Sequence, residues 1–222
     1  MNHFIFSAFV VCIVTLGVSL YWVFKQRNAL NQWFGLFWLA VAFWTYFVAT
    51  QAELLRWIPG RLWGWVLHIG CIAVPVFFFH FTLHLSNRRK QYALALKAVY
   101  GLALIFILLN TFADLFTGKI IYRDFYAYPK PALLYPLYIT FFQVMGIWTL
   151  ILLLQVRQRI PEKLRKFLYV YISLHLLAYV GSMDNFLIMY DIRFFPIYPY
   201  GLYLIIPYAF GGSYAFQKIQ KD

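Results

Sequence analysis

Seven apolar runs separated by short polar stretches organise the chain. They extend from Phe4 to Phe24, Leu30 to Gln51, Leu62 to Leu85, Tyr92 to Phe112, Ala132 to Val156, Phe167 to Tyr190 and Tyr198 to Phe216. An α-helix rises about 1.5 Å per residue, so each run is long enough to cross about 30 Å of hydrocarbon. Lipid offers the backbone no hydrogen-bonding partner, which makes helices the expected solution for runs this long and this apolar. The pattern predicts an all-α bundle of seven transmembrane helices, forming a single domain over residues 1–222. The first run begins at His3 or Phe4 with no Lys or Arg before it, and Lys25 and Arg27 follow it. That is the reverse of a signal peptide, and no small-residue cleavage site is present, so the run is expected to be a span.

Composition sharpens this picture. Of 222 residues, 64% are hydrophobic and 12% charged, against roughly a quarter charged in soluble domains. Loops account for what the spans leave over, so a soluble catalytic domain has no room and no enzymatic activity is expected. The net charge of +12 lies in short clusters between apolar runs rather than on a soluble basic surface, so no nucleic-acid partner is expected. Cys12 and Cys71 both fall within apolar runs, where packing is a better reading than a disulfide or a zinc site.

Charge also sets direction. Lys25, Arg27, Arg88, Arg89, Lys90, Lys97, Arg157, Arg159, Lys163, Arg165, Lys166, Lys218 and Lys221, 13 of the 19 basic residues, sort to one side of the seven-span scheme. Arg56, Arg61, Lys119, Arg123, Lys130 and Arg193 sort to the other. The positive-inside rule makes the first side cytoplasmic, with the N-terminus outside and the C-terminus in the cytoplasm.

Several features are candidates for function. Asp184 and Asn185, in GSMDNF, lie toward the outer end of the sixth span, and Glu53 lies at the outer end of the second. Carboxylates in or beside a span are costly and point to a partner or a function. With Arg56, Arg61 and Arg193 expected at the same level, the choice lies between an outer ligand pocket and a structural salt-bridge network. His80 and His84, four apart, share a helix face near the cytoplasmic end of the third span. His175 is expected at similar depth, so convergence of these three on a metal or haem is one alternative and separate hydrogen-bonded histidines the other. No cofactor is expected otherwise. Pro75, Pro207, Gly211 and Gly212 interrupt the third and seventh spans and are candidate hinges for signal relay. The outer loop from Ala113 to Pro131, rich in Tyr and Pro, is compatible with a hairpin or lid and equally with a connector lying on the headgroups.

At an offset of 132 residues, Lys25 aligns with Arg157, Arg27 with Arg159, Arg61 with Arg193 and Pro75 with Pro207. This suggests a 3+1+3 symmetry of the kind found in small-solute transporters. No Lys lies in the seventh span to anchor a retinal, and no nucleotide loop, HExxH or GxSxG occurs.

The stretches RNALNQWFGLFWLAVAFW, PVFFFHFTLHL and DIRFFPIYPYGLYLIIPYAFGGSYAF together resemble the seven-transmembrane N-terminal sensor region of bacterial histidine kinases and related signalling proteins. The resemblance spans essentially the whole chain. It implies an input module of the bacterial cytoplasmic membrane, part of a two-component or similar system. Its last helix would lead to a cytoplasmic output domain or partner, and a homodimer would be usual. The family supplies no ligand-binding residue, and this chain stops where an output domain would begin. The sequence thus reads first as a non-enzymatic sensor of a small or lipophilic signal. A transporter, and a haem or metal membrane protein, are the alternatives.

Overall fold

A computed structural model describes residues 3–25, 28–112, 115–123, 126–193 and 197–220, with the side chains of Ala52, Glu53, Arg123, Tyr126, Ile197 and Pro199 outside the description. Helix α1 (His3–Lys25) leads into α2 (Ala29–Ala49), whose first turn is capped by Asn28, its Oδ1 accepting from the Asn31 N–H at 2.8 Å. A side-chain oxygen at this position satisfies one of the donors that a helix start leaves free. The two helices pack closely along their lengths, and Ser19 Oγ donates to the Gly35 carbonyl at 2.8 Å across the crossing, as small residues allow.

A short helix, α3 (Gln51–Trp57), precedes α4 (Gly60–Leu85), the most buried of the long helices. Pro75 lies inside α4 without ending it. Then come α5 (Ala93–Phe112), a hairpin of β1 (Thr117–Arg123) and β2 (Tyr126–Pro131), α6 (Tyr135–Val156) and α7 (Glu162–Met189). Both α4 and α7 end in a left-handed turn, at Asn87 (φ 52°) and Asp191 (φ 61°). Beyond these residues the Arg88 and Ile192 N–H groups return to the Leu83 and Leu187 carbonyls, closing orphan acceptors.

Six helices, α1, α2, α4, α5, α6 and α7, are long and apolar enough to cross a membrane. The chain is a multi-pass membrane protein. The expected all-α bundle of seven spans is corrected in two places. The outer loop contains an antiparallel hairpin, paired from Thr117↔Pro131 to Arg123↔Tyr126. In addition, no continuous α-helix covers 198–216. The segment is a succession of short pieces: α8 (Ile197–Tyr200), a 3-10 turn (Gly201–Leu204), α9 (Ile205–Pro207), a π turn (Tyr208–Gly212) and α10 (Ser213–Gln220).

The physical reason for the second correction is local. Pro207 supplies no N–H to the Tyr203 carbonyl four residues earlier, and Gly201, Gly211 and Gly212 lower the cost of departing from α geometry. The segment packs on α7 and α1. At one end the Tyr200 ring lies 5.6 Å from His3. At the other, Gln220 Nε2 donates to Asn31 Oδ1 at 2.6 Å.

The two halves that the 132-residue offset would relate are built differently. Helices α1 and α2 approach backbone to backbone, whereas α6 and α7 meet mainly through long side chains such as Phe142 against Phe186 and Gln143 against Tyr179, and the counterpart of the unbroken α4 is the fragmented C-terminal segment.

Candidate functional site

An apolar cavity of about 120 Å³ occupies the centre of the bundle. Its scale is that of an apolar cavity of about 150 Å³ able to hold a benzene molecule. Trp38, Val41 and Trp44 of α2, Leu67, Cys71 and Val74 of α4, Tyr138 and Phe142 of α6, and Ala178, Phe186 and Met189 of α7 form its walls. On these four helices the positions follow the helical period, so one face of α2, α4, α6 and α7 reaches the cavity.

The hairpin caps one end, with Ala127, Tyr128 and Pro129 of β2 against the cavity. The Ala127 N–H donates to Gln51 Oε1 at 2.6 Å, which ties the cap to α3. Gly60 provides the seat, because a Cβ there would meet Ile120 Cγ1 at 2.6 Å.

At the opposite end are His175 and Tyr208. Tyr208 opens the π turn, its hydroxyl shares a 2.7 Å hydrogen bond with that of Tyr171, and its ring lies 5.0 Å from Trp38 and 5.2 Å from His175. Beyond it the aromatic packing continues without a gap. Tyr171 lies 6.3 Å from Phe34, Phe34 lies 4.5 Å from Phe216, and Phe216 lies 4.9 Å from Trp22. Phe216 belongs to α10, so the cavity and the last described helix share one column of rings.

Polar groups of the wall divide into two sets. His68 Nδ1 donates to the Gly64 carbonyl at 2.8 Å, and its Nε2 lies 3.3 Å from the Tyr135 hydroxyl. Tyr135 also reaches Met189 Sδ at 2.7 Å. The Tyr179 hydroxyl donates to Gln143 Oε1, and Gln143 Nε2 donates to Met183 Sδ at 3.1 Å. By contrast, Trp38 Nε1, the Tyr138 hydroxyl and His175 Nδ1 have no partner among the described residues and are shut off from solvent.

The residues singled out in the sequence are placed as follows. Asn185 lines the cavity and its Nδ2 donates to the Ser182 carbonyl at 3.4 Å. Asp184 is buried, with neither carboxyl oxygen partnered among the described residues. The side chain of Glu53 lies outside the described residues. Of the basic residues expected at this level, Arg61 lies over the Trp65 ring at 5.0 Å and Arg193 lies 4.0 Å from Asp191.

His80 and His84 stack at 5.2 Å, and His80 Nδ1 meets the Tyr100 hydroxyl at 2.9 Å. His175 stacks instead on Phe78 at 4.2 Å. Phe78 and His80, two residues apart, point roughly 200° apart around α4, so the three imidazoles do not converge. No group of three metal-ligating side chains occurs among the described residues. Pro75 lines a smaller cavity beside the main one. Pro207 ends α9, Gly211 and Gly212 lie in the π turn, and Gly211 admits Leu174, whose Cδ1 would meet a Cβ at 2.7 Å.

Trp38, Tyr138, Tyr171 and Tyr208 carry the site, yet the sequence singled out none of them. An aromatic residue at a core-facing position looks the same in sequence whether it fills a core or borders a cavity. The one available signal is that Tyr208 directly follows Pro207 in a Gly-rich stretch.

Comparison with protein-family models, with curated proteins and with solved structures found no match, so the family resemblance rests on the sequence stretches alone.

Proposed function

We propose that this chain is a non-enzymatic sensory input module of a bacterial cytoplasmic membrane. A small lipophilic signal enters the central cavity and biases the C-terminal helical segment, which passes the change to a cytoplasmic output domain or partner. One observation carries this reading: Tyr208 is at once part of the cavity wall and the first residue of the π turn. A molecule packed against its ring touches a stretch of irregular helical backbone, and π turns concentrate at functional positions.

The aromatic column from Tyr208 to Phe216 supports the relay, and Asn185 on the wall, with buried Asp184 beside it, supports the cavity as the input site. The end at which Gln220 bonds Asn31 is also the end bearing Arg88 and Arg159, the latter donating to the Ser86 carbonyl. It is the more basic end, which supports a cytoplasmic position for the output. A signal acts in this scheme only by binding two arrangements of the segment with different affinity.

The test is to fill the cavity covalently. Ala178 is a buried wall residue, and Ala178→Phe, with Ala178→Leu as a milder variant, mimics occupancy. In a background lacking Cys12 and Cys71, a cysteine pair replacing Asn31 and Gln220 reports the position of α10 by its cross-linking rate. A several-fold change in that rate in either variant is expected. An unchanged rate in correctly folded variants contradicts the relay.

A further inference from the structure

The packing around the central cavity also bears on how a ligand enters, on the reading that the cavity is the input site. The cavity is ringed, in order, by α2, α4, α6, α7, the C-terminal segment and α1. The hairpin caps one end, and Tyr208 with its aromatic column fills the other. Of the neighbours in this ring, α6 and α7 have the least backbone contact among the described residues. Side chains close the distance between them. Phe142 meets Phe186 at 4.9 Å and Tyr179 at 5.8 Å, the Tyr179 hydroxyl donates to Gln143 Oε1, and Gln143 Nε2 donates to Met183 Sδ at 3.1 Å.

This seam is one side chain thick. Gln143 and Gly146 share one edge of α6, and Tyr179, Met183 and Phe186, spaced by four and three residues, share the facing edge of α7. Each of these residues is half-buried. Beside them Val144, Ile147 and Val180 are exposed on the face that meets lipid, while Phe142, Tyr179 and Phe186 line the cavity. Tyr179 is also less confined than a core side chain. Gly146 presents bare backbone to its ring, since a Cβ there would lie 2.8 Å from both Cε2 and the hydroxyl oxygen. The ring borders, together with Phe142 and His175, a second cavity of about 30 Å³. Empty space on two sides removes part of the close packing that holds an interior side chain in place. The bond from Tyr179 to Gln143 joins two side chains, so it can part while both helices stay intact.

We infer that a benzene-sized apolar ligand reaches the cavity sideways from the bilayer, between α6 and α7, through a gate whose moving part is Tyr179, latched by Gln143 and seated on Gly146. Such a molecule concentrates in hydrocarbon rather than in water, and the seam gives it a route that passes neither the headgroups nor the hairpin. Parting the Tyr179–Gln143 bond and rotating the ring opens the wall, and the bond re-forms behind the ligand. A gate alters the barrier to entry and exit alike. It therefore sets how fast the cavity fills and empties and leaves the affinity, the ratio of the two rates, unaltered.

Fluorobenzene is the probe, and fluorine exchange NMR on the full chain in lipid nanodiscs gives both its dissociation rate and its affinity. Tyr179→Phe keeps the ring and removes the latch, and Gln143→Ala removes the latch from the other side; each is checked for helicity and melting. Both are expected to speed dissociation roughly five-fold, the worth of about one net hydrogen bond, with affinity within about two-fold of wild type. A rate that neither variant moves, or an affinity that falls in step with the rate, would overturn the gate while leaving the cavity as a binding site. Acceleration by Gln51→Ala, which unties the hairpin cap, without acceleration by either seam variant would overturn it too and place the entrance at the cap. Failure of fluorobenzene to bind the wild-type chain would overturn the cavity reading itself, and this inference with it.

Discussion

Tyr171 and Tyr138 are both fully buried tyrosines, but only the first has its hydroxyl paired, at 2.7 Å to Tyr208. The difference gives opposite expectations for the same substitution. Tyr171→Phe strands the Tyr208 hydroxyl and should cost about 1–3 kcal/mol. Tyr138→Phe removes a group with no protein partner, so it should leave stability within about 1 kcal/mol of wild type or raise it. Thermal melting followed by helical circular dichroism in one detergent compares the two, and an equal loss in both would show that Tyr138 is bonded after all. At this scale the sequence was informative about charge and much less about aromatics. Asp184 and Asn185 stand out because polar residues in a span are rare, and one proves buried and the other lines the cavity. Trp38 and Tyr138 do not stand out, since their spacing is that of any core-facing position.

Among the elements, the six long helices were legible because length and hydropathy suffice to define them; the expected Phe4 to Phe24 and Leu62 to Leu85 correspond to α1 and α4 within two residues at each end. The hairpin and the C-terminal pieces were less so. Whether Tyr- and Pro-rich residues near a membrane surface pair as strands depends on a tertiary seat, here Gly60 and Gln51, that lies far away in sequence. The run from Tyr198 to Phe216 is apolar enough to suggest a span, but its prolines and glycines decide the backbone. Gln51→Ala removes the acceptor of the Ala127 N–H, and amide exchange across residues 126–131 should accelerate about five-fold or more, the value of one lost hydrogen bond. Pro207→Ala restores an N–H in front of the π turn. The expected outcome is slower exchange over residues 204–212 as the backbone regularises, and exchange no slower than wild type would mean that the π turn is imposed by packing. Gly181 faces the Gly201 carbonyl more closely than any Cβ tolerates. Gly181→Ala should therefore displace the C-terminal segment at a cost of about 1–3 kcal/mol, read as a lower melting temperature together with faster exchange at residues 201–212.

For the molecule as a whole, the hairpin cap, the central cavity, the π turn and the aromatic column form one continuous arrangement from the end bearing Gln51 to the end bearing Asn31. The sequence conveyed the multi-pass character and the charge difference between the two ends. It could not convey the cavity, because a void is a property of how separate spans and a broken segment meet. Nor did it convey the break in the 132-residue symmetry, which lies in the contrast between the close backbone approach of α1 and α2 and the side-chain-mediated packing of α6 and α7. The fragmented segment packs on α1 and α7, and its prolines and glycines make its backbone less regular than a seventh straight helix would be. The most direct measurement is hydrogen exchange across residues 208–220 in nanodiscs, with and without saturating benzene, on wild type and on Ala178→Phe. Exchange in this stretch is expected to change on probe binding in wild type, and Ala178→Phe without probe is expected to show a changed pattern that benzene no longer alters. Identical exchange in all four samples, with benzene shown by NMR to occupy the wild-type cavity, would contradict coupling between the cavity and the C-terminal segment.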